Sequence, residues 1–132
     1  MMIKEISCVL LIDDNKIDNF FHERVIKKVL PAGSIIKVNS APDALEYLNT
    51  CKPDELPQLI FLDVHMPGMD GYEFLTEYIT MKNKAADCSV VVMSSEPKAD
   101  HITPFIPMIN IVFKKKPLSV ENVKELLLPS NK

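Results

Sequence analysis

The chain has 132 residues, enough for one domain with one core. Apolar residues make up 47% and charged residues 25%, an ordinary balance for a globular protein, and a net charge of −3 gives no broad basic surface for nucleic acid. Cys8, Cys51 and Cys88 are odd in number and lack metal-ligand spacing, so they read as reduced thiols of a cytoplasmic protein. The opening stretch MMIKEIS predicts no signal peptide, and no segment approaches the roughly 20 apolar residues a membrane helix needs.

CVLLIDD, starting at Cys8, is a short apolar run that ends in acids and predicts a first strand. In NKIDNFFHERVIKKVL, Ile17, Phe21, Val25 and Val29 recur every four residues, the spacing of a helix. PAGS breaks that pattern, and IIKVN predicts a second strand. Ser40 with Asp43 three residues on fits a helix cap, and ALEYL continues as a helix. CKPDELPQ is a loop, and LIFL predicts the third strand. Asp70 with Glu73 is a second cap and opens the helix GYEFLTEYITM. CSVVVM, rich in β-branched residues, predicts a fourth strand and NIVF a fifth. Ser119 caps a last helix, VENVKELLL. EPKADHITPFIPMI should hold a helix between the fourth and fifth strands, but Pro104 and Pro107 cut into it. The expectation there is one or two turns from about Pro97 to Thr103, then irregular chain. Met66, Met69, Met81, Met93 and Met108 are expected to pack the core.

Strands alternate with helices, and the strands are continuous apolar runs. A parallel sheet covered on both faces requires that pattern, so the expected fold class is α/β, a three-layer α/β/α sandwich. Ligands of such sheets gather at the carboxyl ends of the strands. Those ends carry Asp13 and Asp14 after the first strand, Asp63 after the third, Ser94 after the fourth and Lys116 after the fifth. Three carboxylates gathered this way repel one another. A hard cation such as Mg²⁺ relieves that repulsion, and a lysine and a hydroxyl beside it suit phosphoryl oxygens.

LLIDDN, LIFLDVHMPGMDGYEFL, VVVMSS and FKKKPLS stand in the order and spacing of one family, each at a strand end. On these pieces the chain resembles the receiver domain of two-component response regulators, from about Ile6 to Leu128. The resemblance implies the flavodoxin-like strand order 2-1-3-4-5. It makes Asp63 the acceptor of a phosphoryl group from a histidine kinase or a histidine phosphotransfer protein. It builds the Mg²⁺ site from Asp14 as a direct ligand, Asp63, the backbone carbonyl of His65, and Asp13 acting mostly through water. Ser94 and Lys116 become phosphoryl partners, and Ser94 and Phe113 a coupled switch. Pro117 follows a cis peptide bond that aims Lys116 inward. His65 and Glu96, two positions beyond Asp63 and Ser94, flank the path of attacking water and tune dephosphorylation.

Each of these residues also has a plainer reading. An adjacent Asp pair before a helix is often only an N-cap. MPGMDG is a turn and a cap in any case, and a run of three lysines is usually a solvated strand end. A Mg²⁺-dependent aspartyl phosphatase needs a second Asp two residues after its nucleophile, where this chain has His65. A flavin-binding module needs a Ser/Thr/Gly-rich phosphate loop, where this chain has the acidic DDNKIDN. A receiver that only binds partners, without phosphorylation, would not need every acceptor position filled. The expectation is therefore a single domain over residues 1–132, core about 6–128, with no output domain. It signals through a downstream partner protein, with no direct contact to nucleic acid and none to membrane.

Overall fold

The computed structural model describes residues 6–82, 88–95 and 101–127. Five strands, β1 (Cys8–Ile12), β2 (Ser34–Val38), β3 (Leu59–Asp63), β4 (Ser89–Ser94) and β5 (Asn110–Lys115), form one sheet of order β2-β1-β3-β4-β5. Every neighbouring pair is parallel. Among the described residues the α-helices are α1 (Lys16–Val29), α2 (Ala41–Thr50), α3 (Gly71–Tyr78) and α4 (Val120–Leu127).

The three layers follow from the period of two along a strand, which sends alternate side chains to opposite faces. Leu10, Ile12, Ile60, Leu62, Val90 and Val92 pack with Ala41, Ala44 and Leu48 of α2 and Phe74, Leu75 and Tyr78 of α3. Val9, Leu11, Phe61, Val91 and Met93 pack with Val25 and Ile26 of α1 and Val123 of α4. Each fully buried side chain of this kind stabilises the fold by about 1.5–3 kcal/mol, which is why β1 and β3 up to Leu62 are apolar. The capping residues act as the spacing indicates. Ser40 Oγ accepts the Asp43 N–H, and Asp70 and Glu73 cap each other's backbone. Ser119 and Asn122 do the same at the start of α4.

The structure differs from the sequence reading in three places. Only part of the row whose spacing marks α1 is buried. Ile17 is 77% exposed and Phe21 45%, while Asn19, His22, Val25 and Ile26 face inward. A four-residue step overshoots one helical turn by about 40°, so the row from Ile17 to Val29 drifts about 120° around the helix. Only its C-terminal half meets the sheet. Met108 is also exposed, at 62%, because it lies in a turn after Pro107 rather than on a packed element. Between β4 and β5 the described chain holds a 3-10 turn, Thr103–Phe105, and further turns up to Ile109. Pro104 sits in that turn, where a missing N–H is tolerated. The stretch from Pro97 to Asp100, where a helical turn was expected, lies outside the described residues.

Candidate functional site

Strand pairing continues for one residue past several strand ends and holds the site in place. Asp13 donates its N–H to the Val38 carbonyl at 3.2 Å, Val64 to Met93 at 3.2 Å and Lys116 to Ser94 at 2.9 Å. Asp13, Asp63 and Ser94 are all buried, while Asp14 is exposed. Neither carboxylate of the Asp pair caps α1. Asn15 is the cap, accepting the N–H groups of Ile17 and Asp18 at 2.9 and 3.0 Å. Asp13 Oδ1 instead accepts the Asn15 N–H at 3.0 Å, a local turn that fixes its direction.

Asp13, Asp14 and Asp63 each offer a carboxylate oxygen, and these oxygens lie within 4.8 Å of one another. Such an all-oxygen, doubly or triply anionic set suits Mg²⁺. Asp13 Oδ2 supports the fit: it is paired with an ammonium but accepts no directed hydrogen bond, so lone-pair capacity remains on a buried oxygen. The Asp63 carboxyl is pushed up to about 6 by burial and by the neighbouring Asp13 charge, against the opposing pull of Lys116 and the His65 N–H. That N–H lies 3.2 Å from Asp63 Oδ1.

Of the three consecutive lysines, Lys114 pairs with Glu125 at 3.1 Å and Lys115 is exposed. Lys116 enters the site, and the peptide bond that follows it, Lys116–Pro117, is cis. Its Nζ lies 2.8 Å from Asp13 Oδ2, 2.9 Å from Asp18 Oδ2 and 3.5 Å from Asp63 Oδ1. Burial by itself lowers the Lys116 pKa, but the close Asp13 and Asp18 carboxylates and the charge of Asp63 outweigh it and hold the pKa above the ordinary lysine value. Ser94 Oγ lies 3.3 Å from His65 Nε2. Phe113 is half-buried against the cluster that α2 and α3 cover. Glu96 lies outside the described residues.

The sequence reading missed Asp18, Asn19 and His22. All three lie on the inner side of α1. Asp18 holds Lys116, Asn19 Nδ2 donates to the Asp13 carbonyl at 2.9 Å, and His22 Nε2 accepts the Leu118 N–H at 3.2 Å. The signal was their spacing: Asp18 and Asn19 stand four and three residues before His22, the separations at which side chains of one helix are neighbours.

An acidic cluster and a lysine at the carboxyl ends of a 2-1-3-4-5 parallel sheet place the chain among doubly wound α/β proteins that bind ligands where strand order reverses. Comparison with known proteins narrows the class. Residues 9–127 match the response regulator receiver domain, and the chain belongs to that family of two-component signalling. It is 30% identical over 126 residues to the two-component response regulator ARR17 of Arabidopsis thaliana, covering 89% of this chain and 80% of that protein. With ARR16 of the same plant it shares 32% over 129 residues, covering 89% and 76%. A two component response regulator from Cytophaga hutchinsonii superimposes with a TM-score of 0.81 at 25% identity, covering 93% of this chain and 95% of that one. The fold alone is shared with the Vibrio cholerae chemotaxis protein CheY4, at a TM-score of 0.76 and 16% identity over 93% and 97% of the two chains. No helix among the described residues is long and apolar enough to cross a membrane.

Proposed function

We propose that this protein is a phosphoacceptor switch, and that Asp63 accepts the phosphoryl group from a phosphohistidine of a histidine kinase or histidine phosphotransfer protein. The observation that carries this reading is the buried Asp63 carboxylate set between two further aspartates and the Lys116 ammonium. An Asp63 carboxylate oxygen forms the new P–O bond while the N–P bond breaks, and the imidazole leaves with the electron pair. Asp13, Asp14, Asp63 and the His65 backbone carbonyl would hold Mg²⁺, which when bound neutralises charge on the phosphoryl oxygens.

Each residue of this chain then has a task. Burial keeps bulk water from Asp63. At neutral pH a carboxyl with a pKa of about 6 is mostly ionised, so the nucleophile is present. Lys116 aligns and partly neutralises the phosphoryl group, and Ser94 donates its hydroxyl to it once it is attached. That leaves His65 Nε2 without its Ser94 contact and lets Phe113 turn inward. His65 and Glu96 set how fast water removes the phosphoryl group, which is self-hydrolysis rather than turnover of an outside substrate. The output is a downstream protein that docks or accepts the phosphoryl group onward, in the cytoplasm, without contact to nucleic acid or membrane.

The test is intact-mass spectrometry after incubation with acetyl phosphate and Mg²⁺. One phosphoryl adduct is expected in the parent and none in Asp63→Asn. An adduct that survives that substitution would overturn the assignment.

A further inference from the structure

An ammonium has three N–H donors. Those of Lys116 face three carboxylates, Asp13 at 2.8 Å, Asp18 at 2.9 Å and Asp63 at 3.5 Å. The phosphoacceptor residue has the longest of the three contacts, and the lysine is already committed to the other two. A phosphoryl group on Asp63 adds several anionic oxygens beside Lys116 and competes with Asp13 and Asp18 for its donors.

The two short contacts are unequal. The Asp13 side chain is 0% exposed, and losing its cation would leave a buried, uncompensated charge. The Asp18 side chain is 39% exposed, so water can take the place of the lysine. Asp18 is also anchored without Lys116, because its N–H is held by Asn15 in the first turn of α1. One turn on, His22 holds Leu118 by its backbone N–H, so the chain after Lys116 stays attached to α1 when the ammonium moves.

We infer that Asp18 is a positioning residue that tethers Lys116 to α1 in the resting protein and gives it up when Asp63 is phosphorylated. The tether competes with the phosphoryl group for the lysine, so it slows acceptance. This rests on the reading of Asp63 as acceptor.

The test measures phosphorylation by acetyl phosphate with Mg²⁺, read by intact mass over time. In this reaction an Asp63 oxygen bonds to phosphorus as the P–O bond to acetate breaks and acetate leaves with the electron pair. Asp18→Asn should accelerate acceptance about threefold to tenfold, the scale of one partly exposed charge pair. Asp18→Glu, which keeps the charge, should stay close to the parent. Asp54→Asn, an exposed acid in the turn after α2, controls for net charge and should leave the rate unchanged. A second readout needs neither metal nor phosphorylation. In EDTA the carboxyl ¹³C signal of Asp18 should shift when Lys116 is changed to Gln, and the signal of Asp54 should not. Equal rates in parent and Asp18→Asn, a slower Asp18→Asn, an equal gain in Asp54→Asn, or an unmoved Asp18 signal would each overturn the tether while leaving Asp63 as acceptor. A parent that takes up no phosphoryl group would overturn the acceptor reading and the tether with it.

Discussion

His22, buried on α1, accepts at Nε2 the backbone N–H of Leu118, 3.2 Å away and 96 positions along the chain. The neutral ring therefore carries its proton on Nδ1. Burial lowers the ring pKa below its ordinary 6.5, the Lys116 charge lowers it further, and Asp13 and Asp18 pull the other way. The unfolded chain then binds the extra proton more readily than the folded one. His22 contributes full stability above about pH 6.5, and that contribution is lost as pH falls from there toward the folded value. His22→Gln keeps an acceptor for Leu118 but cannot titrate. Between pH 7.5 and 5.0 the urea midpoint of the parent should fall more than that of His22→Gln. Parallel losses would mean that the ring is not held neutral.

Asp63 has the opposite sign. Its folded pKa is raised to about 6 from 3.8 by burial first and Asp13 second. Stability from the protonated form is present below 3.8 and is lost as pH rises from 3.8 through 6. Asn keeps the shape without the charge. In EDTA, Asp63→Asn should match the parent near pH 4 and exceed it by roughly 1–3 kcal/mol at pH 7.5, since one pKa unit is about 1.4 kcal/mol. A gain of the same size at both pH values would show that charge is not its cause.

Mg²⁺ should stabilise the folded form by mass action, by about 2.7 kcal/mol at a hundred times its dissociation constant. Asp63→Asn should gain less, having lost one ligand charge, and NaCl at matched ionic strength should do much less. Denaturant titrations of both proteins with Mg²⁺ and with EDTA decide it. Equal Mg²⁺ gains in the two proteins would mean that Asp13, Asp14 and Asp63 do not form one site.

Gly71 opens α3 directly against the end of β3. A Cβ there would stand 2.7 Å from Val64 Cα and 3.0 Å from the Asp63 carbonyl oxygen, both backbone atoms. Neither can yield without moving Asp63. Gly71→Ala should destabilise the protein by about 1–3 kcal/mol and slow phosphorylation as well. Unchanged urea midpoints would show that α3 can shift away without disturbing the site.

The segment from His101 to Ile109 should exchange its amide hydrogens faster than α1 or α2. Its amides at Phe105, Ile106 and Met108 bond carbonyls only three residues back, in isolated turns rather than a helical ladder. Exchange as slow as in α1 would reveal a more stable element than these turns.

The sequence by itself determined what local physics decides. Short apolar runs such as Leu59 to Leu62, bounded by turn residues and too short for a helix, fit strands buried on both faces, and Ser40, Asp70 and Ser119 announce helix starts because a cap acts within three residues. The carboxylates at the ends of β1 and β3 were legible because strand ends in parallel sheets converge. Tertiary structure alone decided which face of α1 is inside and which carboxylates hold Lys116. Asn19 and His22 are buried because backbone groups of Asp13 and Leu118 need partners there, and a hydrophobic period carries no trace of that need. Asp18 meets Lys116 across 98 positions of sequence, so the pairing exists only once β5 lies beside β4 and α1 packs near the chain that follows it. A charge chooses its partner by distance in space, and that distance is fixed by the sheet, not by the residues on either side of it.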